Sequence, residues 1–180
     1  AQTIIVDKDE SSLKQAVNSL GTGHGYLTLD VTSPEAAEQA MLASIQKFGG
    51  LDILISNAGA AHAGPMLSIS EDDLRDAFEL NFFSHYSFST AAAKVFRNQN
   101  RGGQIIFNIS KQAVNPGKNF GAYGMPKATT FFLMKQLALE LGANGIRVNG
   151  VNADRIRSGL LTDDFISSRA KSRGVSESDY

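Results

Sequence analysis

The chain has 180 residues, enough for one ordinary domain with a real core, and its 17 Lys+Arg against 18 Asp+Glu leave a formal net charge of −1. No basic stripe suited to nucleic acid or an anionic membrane follows from such a balance, and the absence of cysteine excludes disulfides, thiolate nucleophiles and zinc–thiolate sites. No apolar run is long enough to span a bilayer and Ala1–Glu10 carries no signal pattern, so a soluble protein of a reducing compartment, the cytoplasm, is expected.

Short apolar runs alternate with stretches of helical period, the pattern of βαβ units around a parallel sheet. A strand is predicted over Thr3–Val6, then a helix from about Ser11 to Leu20 with Leu13, Ala16, Val17 and Leu20 on one face, then a strand over Tyr26–Val31. Pro34 opens a helix carrying Ala37, Ala40, Met41, Ile45 and Phe48, which ends at Gly49-Gly50 before a strand at Ile53–Ser56. A long helix is expected over Glu71–Arg97, with an acidic first turn suited to the helix dipole. A strand at Gln104–Ile109, a helix from about Tyr123 to Leu141 and a strand at Ile146–Val151 follow. The expected architecture is α/β, an open, doubly wound parallel sheet between helix layers, in one domain over 1–180. Ligands of such sheets bind beyond the carboxyl ends of the strands.

Ser110 follows one strand, and Tyr123 and Lys127 stand four apart, on one face of the next helix. A lysine ammonium favours the phenolate of a nearby tyrosine, and a serine hydroxyl can hold a substrate oxygen while the tyrosine moves its proton. Read alone, the Tyr–Lys pair is equally an exposed helical pair. Other strand ends carry Asn57-Ala58-Gly59 and Asp30-Val31, and the long helix carries Asn81. Asn57 reads best as turn support, whereas Gly59 lets backbone approach a ligand. Asp7, after the first strand, sits where an acid bonds the adenosine ribose and repels a 2′-phosphate, favouring NAD over NADP; the competing reading makes Asp7–Glu10 an acidic helix start. Gly21–Gly25 precedes a strand and reads as a surface turn, and His24, His62 and His85 lack metal-ligand spacing, so no metal site is expected.

LDILISNAG at 51–59, ELNFFS at 79–84, Ser110, the Tyr-Gly-Met-Pro-Lys segment at 123–127 and IRVNGVNADRIRS at 146–158 resemble, in order and spacing, the classical short-chain dehydrogenase/reductase family. The resemblance implies a Rossmann-like fold and a tetrad of Asn81, Ser110, Tyr123 and Lys127, with Lys127 also bonding the nicotinamide ribose and the asparagine acting through its backbone carbonyl and a water. It implies that Asp30 and Val31 touch adenine, that Ile156 and Ser158 hold the carboxamide, and that Gly159–Arg173 is a substrate lid. The family's first strand, with its glycine-rich pyrophosphate turn, and its last helix and strand have no counterpart, so 1–180 resembles a fragment running from the second strand through the lid. Alone it is expected to be unstable and to bind NAD weakly. Ala153-Asp154 stands where the family has Pro-Gly.

The runs VNPGKNFGAYGMPKA and VNGVNADRIRSGLL are most similar to the dehydrogenase portion of bifunctional rhamnulose-phosphate aldolase/alcohol dehydrogenases, which suggests a small hydroxyaldehyde such as lactaldehyde. The expected function is hydride transfer between NAD and a small alcohol or aldehyde. A non-catalytic assembly module is the alternative from another class, suggested by Phe78, Phe82, Phe83, Phe88, Phe96, Phe131 and Phe132. The family packs those two helices between subunits, which implies a homodimer or homotetramer. A lyase or epimerase on the same fold is the third reading.

Overall fold

The computed structural model describes residues 1–153 and 163–178. β1 (Ile4–Asp7) leads to α1 (Glu10–Leu20), whose N-terminus is capped by the Asp9 carboxylate accepting from the Ser11 and Ser12 amides. Gly21 ends α1 at φ +90° and the turn delivers β2 (Gly25–Thr28), so the glycine-rich run is a connection into a strand, as expected. β2 stops earlier than its hydrophobicity predicts. Leu29 still donates to the Asp7 carbonyl at 2.8 Å, but the Asp30 carboxylate then accepts from the Thr32 amide and hydroxyl, which turns the chain.

α2 (Ala36–Phe48) ends at the left-handed Gly49, and β3 (Ile53–Ser56) follows with the bounds its sequence predicts. The helix expected as one piece over Glu71–Arg97 is instead two. α3 (Glu71–Phe78), capped by Ser70, and α4 (Ser84–Gln99) are joined by a π-helical turn at Glu79–Phe83. The cause is local competition: the Asn81 side-chain amide takes the Ala77 carbonyl at 3.0 Å, and the Ser84 amide reaches back five residues to Glu79. β4 (Gly103–Ser110), α5 (Gly121–Leu141), β5 (Ile146–Ala153) and α6 (Asp163–Arg173) complete the order.

Among the described residues all strand pairs are parallel, yet they form two sheets. β1 pairs with β2, and β3–β4–β5 form the other, with Ile53 opposite Gln104 and Ser110 opposite Ala153. α2 packs on both β1 and α4 and so ties the two together. One core runs through both: Ala36, Ala40 and Met41 of α2, Phe88, Ala92 and Phe96 of α4, and Ile105, Phe107 and Ile109 of β4 are buried, with Val6 and Leu27 packed against them. Ile53 and Ile55, however, are 48% and 67% exposed on β3. The fold is an incomplete Rossmann-like α/β arrangement of parallel strands and helices.

Candidate active site

The elements that meet around Lys127 are the end of β4, the N-terminal turns of α5, the π turn and the end of β3. Ser110, last residue of β4, has non-helical dihedrals, and its hydroxyl accepts from the Gln112 amide at 3.2 Å. The same hydroxyl hydrogen-bonds the Tyr123 phenol. Burial pushes that phenol above its ordinary range, and the bond from Ser110 pulls it back in part.

Lys127 lies one turn after Tyr123 and is 3% exposed, a cost met only if the ammonium finds partners. Its Nζ donates to the Asn108 carbonyl at 3.2 Å, lies 3.5 Å from His85 Nε2, and stands 5.8 Å from the centroid of the Tyr123 ring. The lysine thus sits over the ring face while its hydrogen bonds go to β4 and α4. Burial brings its pKa down to about 8, so that below that pH it is mainly an ammonium.

Asn81 is fully buried in the π turn. Its amide donates to the Ala60 and Ala77 carbonyls, each at 3.0 Å, its backbone carbonyl accepts from Thr130 Oγ1 at 2.8 Å, and its Oδ1 has no partner. A Cβ at Gly59 would stand 2.7 Å from that oxygen and 3.4 Å from Lys127 Nζ, so only glycine leaves this space open. Asn57 Oδ1 accepts from the Asn108 side chain at 2.8 Å, cross-linking the ends of β3 and β4. The structure therefore brings Asn57, Ala58, Gly59, Asn81, Ser110, Tyr123 and Lys127 into one neighbourhood.

The remaining candidates lie elsewhere. Asp7 is exposed at the end of β1, where its Oδ1 accepts from the Asp9 amide at 3.0 Å. Asp30 is exposed just past β2, its carboxyl held below the usual range first by the Thr32 amide and hydroxyl and then slightly by the Lys8 charge. Val31 packs against the core. Ile156 and Ser158, with Asp154 and the first part of the expected lid, lie outside the described residues; of that lid, Asp163–Arg173 is the helix α6. Among the described residues no set of three His, Asp or Glu side chains could hold a metal ion, and no helix is long and apolar enough to cross a membrane.

Three participants escape a reading by sequence. Thr130 and Asn108 enter through the bonds above. His85 is buried between Ser56 and Lys127, and the one hint of it is its spacing of four from Asn81 in a helical stretch.

Comparison with known proteins identifies the family of the chain. Over residues 1–166 the chain matches the family pattern described as short chain dehydrogenase. It is 34% identical over 161 residues to the uncharacterized oxidoreductase YuxG of Bacillus subtilis, covering 87% of this chain and 23% of that protein. To the L-rhamnose 1-dehydrogenase (NAD(P)(+)) of a Sphingomonas species it is 31% identical, covering 88% of this chain and 63% of that one. To the 7alpha-hydroxysteroid dehydrogenase of Escherichia coli it is 35% identical, covering 73% and 51%. The chain thus spans less than two thirds of the length of each of these relatives. Among solved structures, sorbitol-6-phosphate 2-dehydrogenase SrlD from Erwinia amylovora superposes with a TM-score of 0.87 at 21% identity, over 99% of this chain and 81% of that one. A 3-ketoacyl-(acyl-carrier-protein) reductase from Brucella melitensis, complexed with NADH, superposes with a TM-score of 0.85 at 24% identity, over 92% and 71%. The pattern match over most of the chain, the relatives above 30% identity and the shared fold make this chain a member of the short-chain dehydrogenase family, an oxidoreductase family that binds NAD(P).

Proposed function

We propose that this chain carries the proton-transfer site of an NAD-dependent oxidoreductase acting on a small alcohol or aldehyde, with Tyr123 as acid/base, Ser110 as the substrate-oxygen anchor and Lys127 as the supporting cation. The observation that carries the reading is the cluster itself. A tyrosine bonded to Ser110 stands one turn from a buried lysine that, among the described residues, has no carboxylate partner, so no ion pair there cancels the ammonium field.

In the oxidative direction the substrate hydroxyl would sit between Ser110 and Tyr123 and lose its proton to the tyrosine oxygen. The Ser110 hydroxyl, fixed by the Gln112 amide, orients the substrate oxygen. Lys127 keeps the tyrosine oxygen receptive while it is itself charged, below about pH 8. The open space beside Gly59 and the unpartnered Asn81 Oδ1 suit a polar ligand held against the end of β3, which fits the nicotinamide end of a dinucleotide. Tyr123 and Lys127 would hold its ribose, Asn57–Gly59 would line its path, and Asp7, with Asp30 and Val31, would meet its adenosine part. When bound, the nicotinamide supplies the hydride acceptor.

Self-association accompanies this reading. The phenylalanine stripe divides on folding: Phe88 and Phe96 are core, whereas Phe83, Tyr86 and Phe132 are 46%, 48% and 64% exposed. A groove lined by Leu74, Phe78 and Phe83 together with Glu71, Arg75 and Glu79 adjoins Phe83, and this exposed aromatic face supports a homo-oligomer.

The test is steady-state oxidation of small 2-hydroxyaldehydes and alcohols with NAD by the protein that carries this chain, wild type against Tyr123→Phe. Turnover should fall by about 10²–10⁴-fold with little change in cofactor affinity. A phenylalanine variant as fast as wild type would remove the tyrosine from the reaction.

A further inference from the structure

Behind Lys127 lies a buried titratable group that the proton transfer above does not use. His85, on α4, is 1% exposed, and one side of its ring faces Phe107 at a centroid distance of 6.1 Å. Its two nitrogens face different partners. Nδ1 lies 2.6 Å from Ser56 Oγ at the end of β3, and Nε2 lies 3.5 Å from Lys127 Nζ, with the Ala58 backbone also within hydrogen-bonding reach of the ring.

Burial first, and then the Lys127 charge, bring the His85 pKa down to about 3, so the ring is uncharged throughout the working range of an enzyme. A neutral imidazole offers one donor and one acceptor, whereas an ammonium offers donors only. With Lys127 charged, an Nε2 that accepts from the ammonium places the ring proton on Nδ1, which then donates to Ser56 Oγ. The serine can accept in this arrangement, so Ser56 selects the tautomer that the lysine needs. The Asn108 carbonyl is the other fixed acceptor of the ammonium.

We propose that His85, with its tautomer selected by Ser56, is a positioning residue for Lys127 that holds the ammonium in place and stabilises its charged form. The proposal rests on the reading of Tyr123 and Lys127 as the proton-transfer pair. Among the described residues, the titratable groups facing Lys127 are His85 from α4 and Tyr123 from its own helix. β3, β4 and the π turn present the neutral Ser56, Asn108, Ser110 and Asn81. Among the described residues no carboxylate shares the work, so removing the imidazole leaves the Asn108 carbonyl as the fixed acceptor.

The sign follows from that count. Loss of an acceptor disfavours the ammonium, so the lysine midpoint, already down to about 8, should fall further. About one pH unit is expected, a tenfold loss of proton affinity. His85→Asn keeps an amide near the Nδ1 position but ends short of Lys127. His85→Gln places an amide oxygen near the Nε2 position.

The experiment is a nitrogen-15 NMR titration of the Lys127 ammonium and the His85 ring in the protein that carries this chain, with the pH profile of turnover measured beside it. His85→Asn should lower the Lys127 midpoint by about one unit and move the fall in turnover by the same amount, with KM for the cofactor little changed. His85→Gln should restore most of the shift. In the wild type below pH 8, Nδ1 should bear the ring proton. Should His85→Asn fail to fold, Ser56→Ala provides the second variant, expected to move the midpoint in the same direction by a smaller amount. An unchanged Lys127 midpoint in a folded variant, or a ring proton fixed on Nε2, would overturn the proposal. If Tyr123→Phe turns over like wild type, the oxidoreductase reading fails, whereas the Lys127 titration needs no turnover and still decides the role of His85.

Discussion

The three-stranded sheet and the two-stranded sheet hold their polar residues in different ways. Around β3–β5, alternate residues of β4 (Ile105, Phe107, Ile109) are buried under α4 and α5, and the polar groups above them are tied across elements: Lys127 to Asn108, Thr130 to Asn81, Asn108 to Asn57. On β1–β2 the strands are four residues long, and Asp7 and Asp30 are exposed, with hydrogen bonds to amides two residues further along the chain. The geometry of the proposed proton-transfer site is thus a product of long-range packing. The charges proposed to select a cofactor are a product of local turns. Substitutions in the first region should disturb stability and rate together, and those in the second should change affinity with the fold intact.

The largest effect should come from Phe107→Ala. Phe107 is fully buried at the centre of β4 and faces the His85 ring, so truncation leaves a cavity beneath the site at a cost of about 3–5 kcal/mol. Chemical denaturation should show that loss, whereas Leu27→Ala on partly buried β2 should cost less than half as much. Equal losses at the two positions would erase the distinction between the sheets.

Gly59→Ala should come next. The added methyl would stand 2.7 Å from Asn81 Oδ1, and Asn81 cannot yield easily because its amide is held by two carbonyls. Displacement of Asn81 or of the end of β3 by a few tenths of an ångström should lower turnover by about 10²-fold while the cooperative unfolding transition persists. Wild-type turnover in Gly59→Ala would mean that the space beside Asn81 and Lys127 is not used.

How far the sequence discloses each region follows the same division. β3 is legible to the residue because ILIS is bounded by Asp52 and by turn chemistry at Asn57-Ala58-Gly59. The nearness of Ser110, Tyr123 and Lys127 is legible because one ends a strand and the other two stand four apart on the helix that follows. The π turn is not, since it needs the Asn81 side chain to capture a carbonyl and is braced by a threonine 49 positions away. His85 is hidden for the same reason: its partners stand 29 and 42 residues away, on β3 and α5. The early end of β2 is a local matter, visible in Asp30 and Thr32 once turn chemistry is weighed above hydrophobicity.

The smallest expected effect belongs to Asp7, and it tests the other side of the comparison. The acidic run Asp7–Glu10 divides its duties on folding. Asp9 caps α1, Glu10 pairs with Lys14 at 2.9 Å, and Asp7 gives one carboxylate oxygen to the Asp9 amide. Asp7 is therefore the acidic residue of the run without a helix duty, and it stands at the carboxyl end of β1, where the adenosine part of a dinucleotide is proposed to lie. An acid there can accept from ribose hydroxyls and repel a 2′-phosphate. Because the group is exposed, salt screens that repulsion, and Lys8 beside it offsets part of it. Asp7→Ser should thus narrow the preference for NAD over NADP only by roughly fivefold to tenfold, more at low ionic strength than at high. Dissociation constants of both nucleotides, measured for wild type and variant at two salt concentrations, provide the check, with the unfolding midpoint as a control that should not move. Tighter binding of NADP than NAD by the wild type would show that Asp7 does not face the ribose, and a salt-independent change would show that the carboxylate acts through the Asp9 turn and not through its charge.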